Sequence, residues 1–249
     1  MSDPKIIGII PARISSVRFP QKMLADIQGK PLIQVTYENA LKCKKLDQLI
    51  VATDSQKIYD CVQKFGGSVV MTSPSCQSGT DRVAEVIKAS TFESAELIVN
   101  IQGDEPDIPS QTIQGVIEAL ENDQTADVAT PCVKIASESD IQSTSNVKCV
   151  FDLNNHALYF SRAMIPHGKS RDFNPEVPYY KHLGLYVYRR NFLLKYQQLP
   201  LTPLQKAEDL EQLKILEHGY RIRVVEVESD CVGIDTTEDL KNFITTRFQ

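Results

Sequence analysis

The chain has 249 residues, 42% of them hydrophobic and 24% charged, and 27 Lys and Arg against 32 Asp and Glu leave a formal charge of −5. This is globular composition, and at this length one α/β domain, with or without a subdomain, buries roughly 70–75% of the surface an extended chain exposes, so no disulfide or structural metal is needed. The weak acidic balance, with no Lys/Arg block, argues against nucleic-acid and membrane-surface partners. Cys43, Cys61, Cys76, Cys132, Cys149 and Cys231 form no CxxC pair and have no His at zinc spacing; they read as buried thiols of a cytoplasmic protein. Residues 6–10 are too short for a signal h-region, and no apolar run reaches membrane-span length.

In chain order, residues 6–10 read as a strand covered on both faces. A polar loop, a helix over 31–41 opened by proline and a strand over 48–52 ending at Thr53-Asp54 follow. A helix over 55–65 stops at Gly66-Gly67, residues 69–71 form a third strand, and a helix starts at Gly79 and runs to residue 88. A strand over 97–101, a helix over 110–120 and a strand over 128–133 continue the alternation. Between about 147 and 188 the texture becomes β-rich, with segments 148–151, 157–161 and 182–188 around a Pro/charged loop at 165–179. A helix over 207–217, a strand over 222–227 and a helix over 237–243, capped by Asp235 or Thr236, close the chain. Right-handed crossovers make this a Rossmann-like doubly wound, mostly parallel sheet, a single domain over 1–249 carrying a β-rich insertion at about 147–188.

Three clusters carry chemistry. The loop Pro11-Ala12-Arg13-Ile14-Ser15-Ser16-Val17-Arg18-Phe19-Pro20-Gln21-Lys22 places Arg13, Arg18 and Lys22 beyond the carboxyl end of the first strand, where open α/β sheets bind ligands. Two guanidinium forks and a point charge suit a polyphosphate, and no GxxxxGK[ST] or GxGxxG pattern is present to suggest a P-loop ATPase or a dehydrogenase. In Asn100-Ile101-Gln102-Gly103-Asp104-Glu105-Pro106, Gly103 allows close backbone approach and Asp104 is placed to hold Mg²⁺ against phosphate oxygens. Asp235, before the last helix, is either that helix's N-cap or, if it converges on Asp104, the second carboxylate of a magnesium site.

Gln77-Ser78-Gly79-Thr80-Asp81-Arg82, Tyr159-Phe160-Ser161-Arg162, His182-Leu183-Gly184-Leu185-Tyr186, Leu210-Glu211-Gln212-Leu213 and Gly233-Ile234-Asp235-Thr236 stand in order along the chain. Together with the opening PARxxSxRxPxK pattern and Gln102-Gly103-Asp104-Glu105-Pro106, they resemble the 3-deoxy-manno-octulosonate (KDO) cytidylyltransferase family over nearly the whole length. The opening loop alone resembles only the wider sugar nucleotidyltransferase superfamily. The family resemblance implies transfer of CMP from CTP to the anomeric 2-hydroxyl of KDO, with Mg²⁺ as cofactor, a homodimer, and CMP-KDO supplied to lipopolysaccharide synthesis. It places Pro11, Ala12, Arg13, Arg18, Lys22, Ser78, Arg82, Gln102 and Gly103 around the nucleotide. Gln102, Arg162, His182, Tyr186, Glu211 and Gln212 fall around the sugar acid, and Asp104 and Asp235 on magnesium. Arg13, Lys22, Asp104 and Asp235 then carry the transfer.

Taken singly, His182 reads as a satisfied structural histidine and Glu211-Gln212 as a helix surface. Three positions depart from the family pattern: Gln21 where glycine is usual, Cys76 where His is frequent, and Gln205 where Glu is frequent. The alternatives are a cytidylyltransferase for another sugar acid, such as 8-amino KDO or an acylneuraminate, and a catalytically silent nucleotide-binding protein.

Overall fold

The computed structural model describes residues 5–16, 18–169, 173–228, 230–231 and 233–248. Met1 to Pro4, Val17 of the cationic loop, 170–172 of the Pro/charged loop and Val232 lie outside the described residues.

The first half is a parallel βα alternation. β1 (Ile6–Ala12) is nearly all buried, as a two-sided apolar run demands. It leads through a 3₁₀ turn (Lys22–Leu24) and a small hairpin, β2 (Asp26–Ile27) and β3 (Lys30–Pro31), into α1 (Leu32–Ala40). Then come β4 (Gln48–Thr53), α2 (Gln56–Lys64), β5 (Val69–Met71), α3 (Gly79–Val86), β6 (Leu97–Asn100), α4 (Ser110–Asn122) and β7 (Val128–Ile135). A short α5 (Glu138–Gln142) precedes β8 (Lys148–Phe151), β9 (Ala157–Ser161), β10 (Tyr179–His182) and β11 (Tyr186–Arg189). The chain closes with α6 (Arg190–Tyr196), α7 (Pro203–Glu208), α8 (Glu211–Glu217), β12 (Ile222–Val227) and α9 (Thr237–Phe248).

Among the described residues, ten strands form one sheet in the order β5-β4-β1-β6-β11-β7-β10-β8-β9, with β12 alongside β7. The sheet is mixed, not mostly parallel. β1 pairs in parallel with β4 and β6, β4 with β5 and β12 with β7, whereas β11, β10, β8 and β9 enter antiparallel. The segment at 147–188 therefore joins the main sheet, and β11 lies at its centre between β6 and β7. Helices cover both faces. Leu32, Ile58, Val116 and Phe243 fill the core under α1, α2, α4 and α9, and Val83, Phe192 and Leu213 fill the core under α3, α6 and α8. No helix among the described residues is long and apolar enough to cross a membrane.

Two expected elements divide. The strand at 182–188 becomes β10 and β11, separated by Leu183-Gly184-Leu185. The helix at 207–217 becomes α7, begun by Pro203 and ended by Asp209 in the left-handed region (φ 53°), and then α8.

Candidate active site

β1 and its parallel neighbours β4 and β6 end along one edge of the sheet, where Ile9 pairs with Asn100 and Ala12 with Thr53. The loops that continue β1 and β6 hang from that edge and wall a cleft of about 680 Å³, lined among others by Arg13, Ser15, Ser16, Arg18, Gln77, Ser78, Gln102, Asp104, Glu211 and Asp235. Gly103 is needed for this closeness. A Cβ there would lie 2.9 Å from the Met23 sulfur and 3.4 Å from the Pro11 carbonyl oxygen, and the Thr36 hydroxyl of α1 donates to the Gly103 carbonyl at 2.8 Å.

The cationic loop and the two acidic segments meet at a single point. Lys22, only 6% exposed, donates to Asp104 Oδ2 at 2.6 Å and to Asp235 Oδ1 at 2.9 Å, while Arg18 reaches Asp235 Oδ2 at 2.9 Å. Burial opposes charge on Lys22, but the two carboxylates outweigh it and raise its pKa. Burial likewise opposes charge on Asp235, and Lys22 and Arg18 outweigh it, holding the carboxyl below its ordinary range. Lys22 and Asp235 are therefore both ionised at neutral pH. A backbone bond from Ile234 N to the Asp104 carbonyl at 2.9 Å ties the two acidic segments together. Asp235 is not the N-cap of α9. That work falls to Thr236, whose hydroxyl accepts from Asp239 N, while the Asp239 carboxylate accepts from Thr236 N, leaving the Asp235 side chain free to face the cations.

The opposite wall is the start of α3. Ser78 and Asp81 form a reciprocal capping box. Arg82 lines the cleft but is buried and already engaged, donating to Asp54 Oδ2 at 2.8 Å and to the Thr72 hydroxyl. Cys76 donates to Glu85 at 3.0 Å, and burial, reinforced by that carboxylate, pushes its thiol up to about 11. Arg13 is exposed on the cleft wall and has no ion-pair partner among the described residues.

The residues expected around a sugar acid divide into two groups. Glu211 lines the cleft and accepts from the Thr80 hydroxyl at 2.6 Å; Gln212 is buried and accepts from the Tyr186 hydroxyl at 3.1 Å, so neither is an idle helix surface. His182 contacts the Thr130 hydroxyl and stacks obliquely on Tyr186, with ring centroids 5.3 Å apart. Arg162 is different. Its guanidinium donates to the carbonyls of Glu208 (2.8 Å), Thr144 (3.2 Å) and Asp209 (3.3 Å), which commits it to clamping β9 onto the α7–α8 junction. Of the residues expected around the sugar acid, Gln102 and Glu211 line the cleft, whereas Gln212, Tyr186, His182 and Arg162 do not.

Thr80, Asp54 and Thr130 were not singled out from sequence. Thr80 sits inside a quoted motif and was open to notice, whereas Asp54 and Thr130 lie in or just beyond buried strands and carry no local signal.

The sequence profile of the cytidylyltransferase family matches residues 7–222. The chain is 52% identical over 237 residues to a 3-deoxy-manno-octulosonate cytidylyltransferase of Protochlamydia amoebophila, covering 95% of this chain and 92% of that one. It is 48% identical over 236 residues to the protein of the same name from Chlamydia felis, covering 95% and 91%. A solved CMP:2-keto-3-deoxy-manno-octonic acid synthetase complexed with CTP superposes with a TM-score of 0.90 at 39% identity, covering 97% of this chain and 98% of that one.

Proposed function

The chain belongs to the cytidylyltransferase family, among the 3-deoxy-manno-octulosonate cytidylyltransferases, and from that premise we propose that it transfers CMP from CTP to the anomeric 2-hydroxyl of KDO, releasing pyrophosphate. The observation that carries this reading is the meeting of Lys22, Arg18, Asp104 and Asp235 at the strand ends of the cleft.

Nucleotidyl transfer leaves the protein little covalent work. The sugar hydroxyl attacks the α-phosphorus in line with the departing pyrophosphate, and the site's task is alignment and stabilisation of spread negative charge. Arg13 and Arg18 are forks for non-bridging phosphate oxygens, and Lys22 is a fixed point charge whose burial strengthens its field. Gln102, Glu211, Gln212, Tyr186 and His182 supply amide, carboxylate, phenol and imidazole partners for a polyhydroxylated acid. No side-chain nucleophile is required.

The donor set fits Mg²⁺. Two hard carboxylates, Asp104 and Asp235, already converge on one cation, the Lys22 ammonium, and an ion that keeps its remaining positions for phosphate oxygens and water needs no larger protein cage. Asp104 and Asp235 would hold the ion, which when bound neutralises phosphate charge and polarises the α-phosphate. Homodimerisation through the region at 147–188 belongs to the same reading and is supported by the exposed Leu153 and Leu158 around β9. A cytoplasmic location and a role ahead of lipopolysaccharide assembly complete it.

The test is pyrophosphate release from CTP and Mg²⁺ with KDO, 8-amino KDO, N-acetylneuraminate or no acceptor in parallel. Release with KDO alone is expected. Preference for another acid moves the sugar assignment, and silence with every acceptor despite measurable CTP binding overturns the enzymatic reading.

A further inference from the structure

We infer that Thr130 is a positioning residue that fixes the imidazole of His182 with its proton on Nε2, so that Nδ1 is a hydrogen-bond acceptor and reads a hydroxyl of the sugar acid, not its carboxylate. The functional half of this inference rests on the proposed placing of His182 at the acceptor sugar.

Thr130 lies within β7, fully buried. Three groups surround its hydroxyl oxygen: the Leu185 carbonyl at 2.7 Å, the Leu183 carbonyl at 3.4 Å and His182 Nε2 at 2.9 Å. A hydroxyl has one proton to give, and carbonyl oxygens only accept. If that proton pointed at Nε2, two oxygens would face each other at 2.7 Å with no hydrogen between them. The proton therefore goes to the Leu185 carbonyl, and the hydroxyl oxygen accepts from an Nε2–H.

The same hydroxyl thus does two jobs. It pins the Leu183-Gly184-Leu185 break between β10 and β11, and it selects one tautomer of the ring carried at the end of β10. Phe160, edge-on at 5.2 Å and 81°, and Tyr186 hold the ring plane. Nδ1 makes no hydrogen bond among the described residues. The ring stays neutral, since burial lowers its pKa to about 3, and no carboxylate pairs with it among the described residues. A neutral ring with a lone pair at Nδ1 attracts a hydroxyl proton and disfavours a carboxylate.

The experiment combines a spectrum with kinetics. The chain has four histidines, so long-range ¹H–¹⁵N correlation spectra of the ligand-free protein at pH 7, assigned with His182→Gln, report the tautomer of His182 directly. Wild type and Thr130→Ser should show the proton on Nε2, and Thr130→Val a mixture of tautomers. Thr130→Val should also raise KM for KDO roughly fivefold to tenfold, the scale of one weakened hydrogen bond, with kcat nearly unchanged, and Thr130→Ser should restore it. A wild-type spectrum with the proton on Nδ1, or with both nitrogens protonated, overturns the inference. The expected tautomer together with an unchanged KM in a variant that turns over KDO overturns the hydroxyl reading. If no acid is turned over, the functional proposal has failed, and the ligand-free spectra still decide the role of Thr130. Should Thr130→Val not fold, the wild-type and Thr130→Ser spectra suffice.

Discussion

Gln21 stands at φ 56°, ψ 28° immediately before Lys22, in the left-handed region where a Cβ crowds the backbone and only glycine is at ease. The family pattern resembled by the opening loop calls for glycine here, and the backbone supplies the reason: the chain must turn sharply to bury the next residue's ammonium between two carboxylates. Gln21→Gly should therefore gain about 0.5–1 kcal/mol, the relief of left-handed strain less the extra freedom of the unfolded glycine. A urea midpoint that fails to rise would show that the turn is unstrained. Gly184 is the converse case. A Cβ there would stand 2.7 Å from Glu105 Oε1, the desolvated end of one side chain, and 3.0 Å from Gln102 Cγ, midway along another, so Gly184→Ala should lower stability somewhat, displace Gln102 and raise KM for KDO. An unchanged KM would mean that Gln102 does not touch the sugar. Asp104 was legible in sequence because it follows a permissive glycine just past a buried strand, and Asp235 because its Gly-Ile-Asp-Thr motif stands before the last helix, although Asp235 could be separated from an N-cap only once Thr236 was seen in that role. Thr130 was illegible because its partners come from residues 182–185, some fifty positions away in sequence.

Among elements, the long apolar strands and the helices between them followed from periodicity, and β5, β8, β9 and β12 fall at the expected residues. The hairpin of β2 and β3 did not, since its two-residue turn is Gln28-Gly29, with φ 53° and 85°, and lacks the Asn-Gly or Asp-Gly that usually announces it. The division of 207–217 into α7 and α8 was hidden because its cause is tertiary. Arg162 spreads its guanidinium over the Glu208 and Asp209 carbonyls, the Glu208 carboxylate accepts from Ser161 Oγ at 2.6 Å and Arg162 N at 2.9 Å, and the buried Lys148 ammonium donates to the Arg162 carbonyl at 2.7 Å. This clamp sets where α8 begins and so where Glu211 and Gln212 sit. Arg162→Ala should cost about 1–3 kcal/mol of stability by leaving those carbonyls short of donors, and amide exchange should quicken first at residues 208–212. Arg162→Lys should recover little, because a compact ammonium cannot reproduce the spread of a planar guanidinium whose Nε, Nη1 and Nη2 each meet a different carbonyl. Full stability in Arg162→Ala, with only KM for KDO raised, would return Arg162 to direct sugar binding.

At the scale of the whole molecule, the sheet joins a parallel half that carries the nucleotide cleft to an antiparallel half, and each half holds a carboxyl whose titration couples pH to folding. Asp123 lies at the far end, after α4. Burial opposes its charge, but bonds from Thr125 and from His156 Nε2 at 2.7 Å outweigh it and bring its pKa to about 2. A folded pKa below the unfolded one means that the unfolded chain takes up the proton first, so this stabilisation is complete above about pH 4 and is lost as pH falls toward 2. Glu105, beside the cleft, has the opposite sign. Burial, with the charge of Asp104 added, raises its pKa to about 7, so the folded chain binds the proton more tightly and stability falls as pH climbs from about 4.5 to 7. His182 adds a third slope: its folded pKa of about 3 lies below the unfolded value, so its contribution rises with pH up to about 6.5, offsets the fall from Glu105 between about pH 4.5 and 6.5, and spreads the greatest stability over that range. Urea midpoints measured from pH 3 to 8 should rise, level off between about pH 4.5 and 6.5, and fall above it. Asp123→Asn should make the acid limb shallower while lowering stability at neutral pH, and Glu105→Gln should turn the level stretch into a continued rise to about pH 6.5, abolish the fall in the neutral limb above it and raise the midpoint at pH 8. If Glu105→Gln leaves that limb unchanged, the carboxyl is ionised in the folded protein at neutral pH and its proximity to Asp104 is compensated within the cleft.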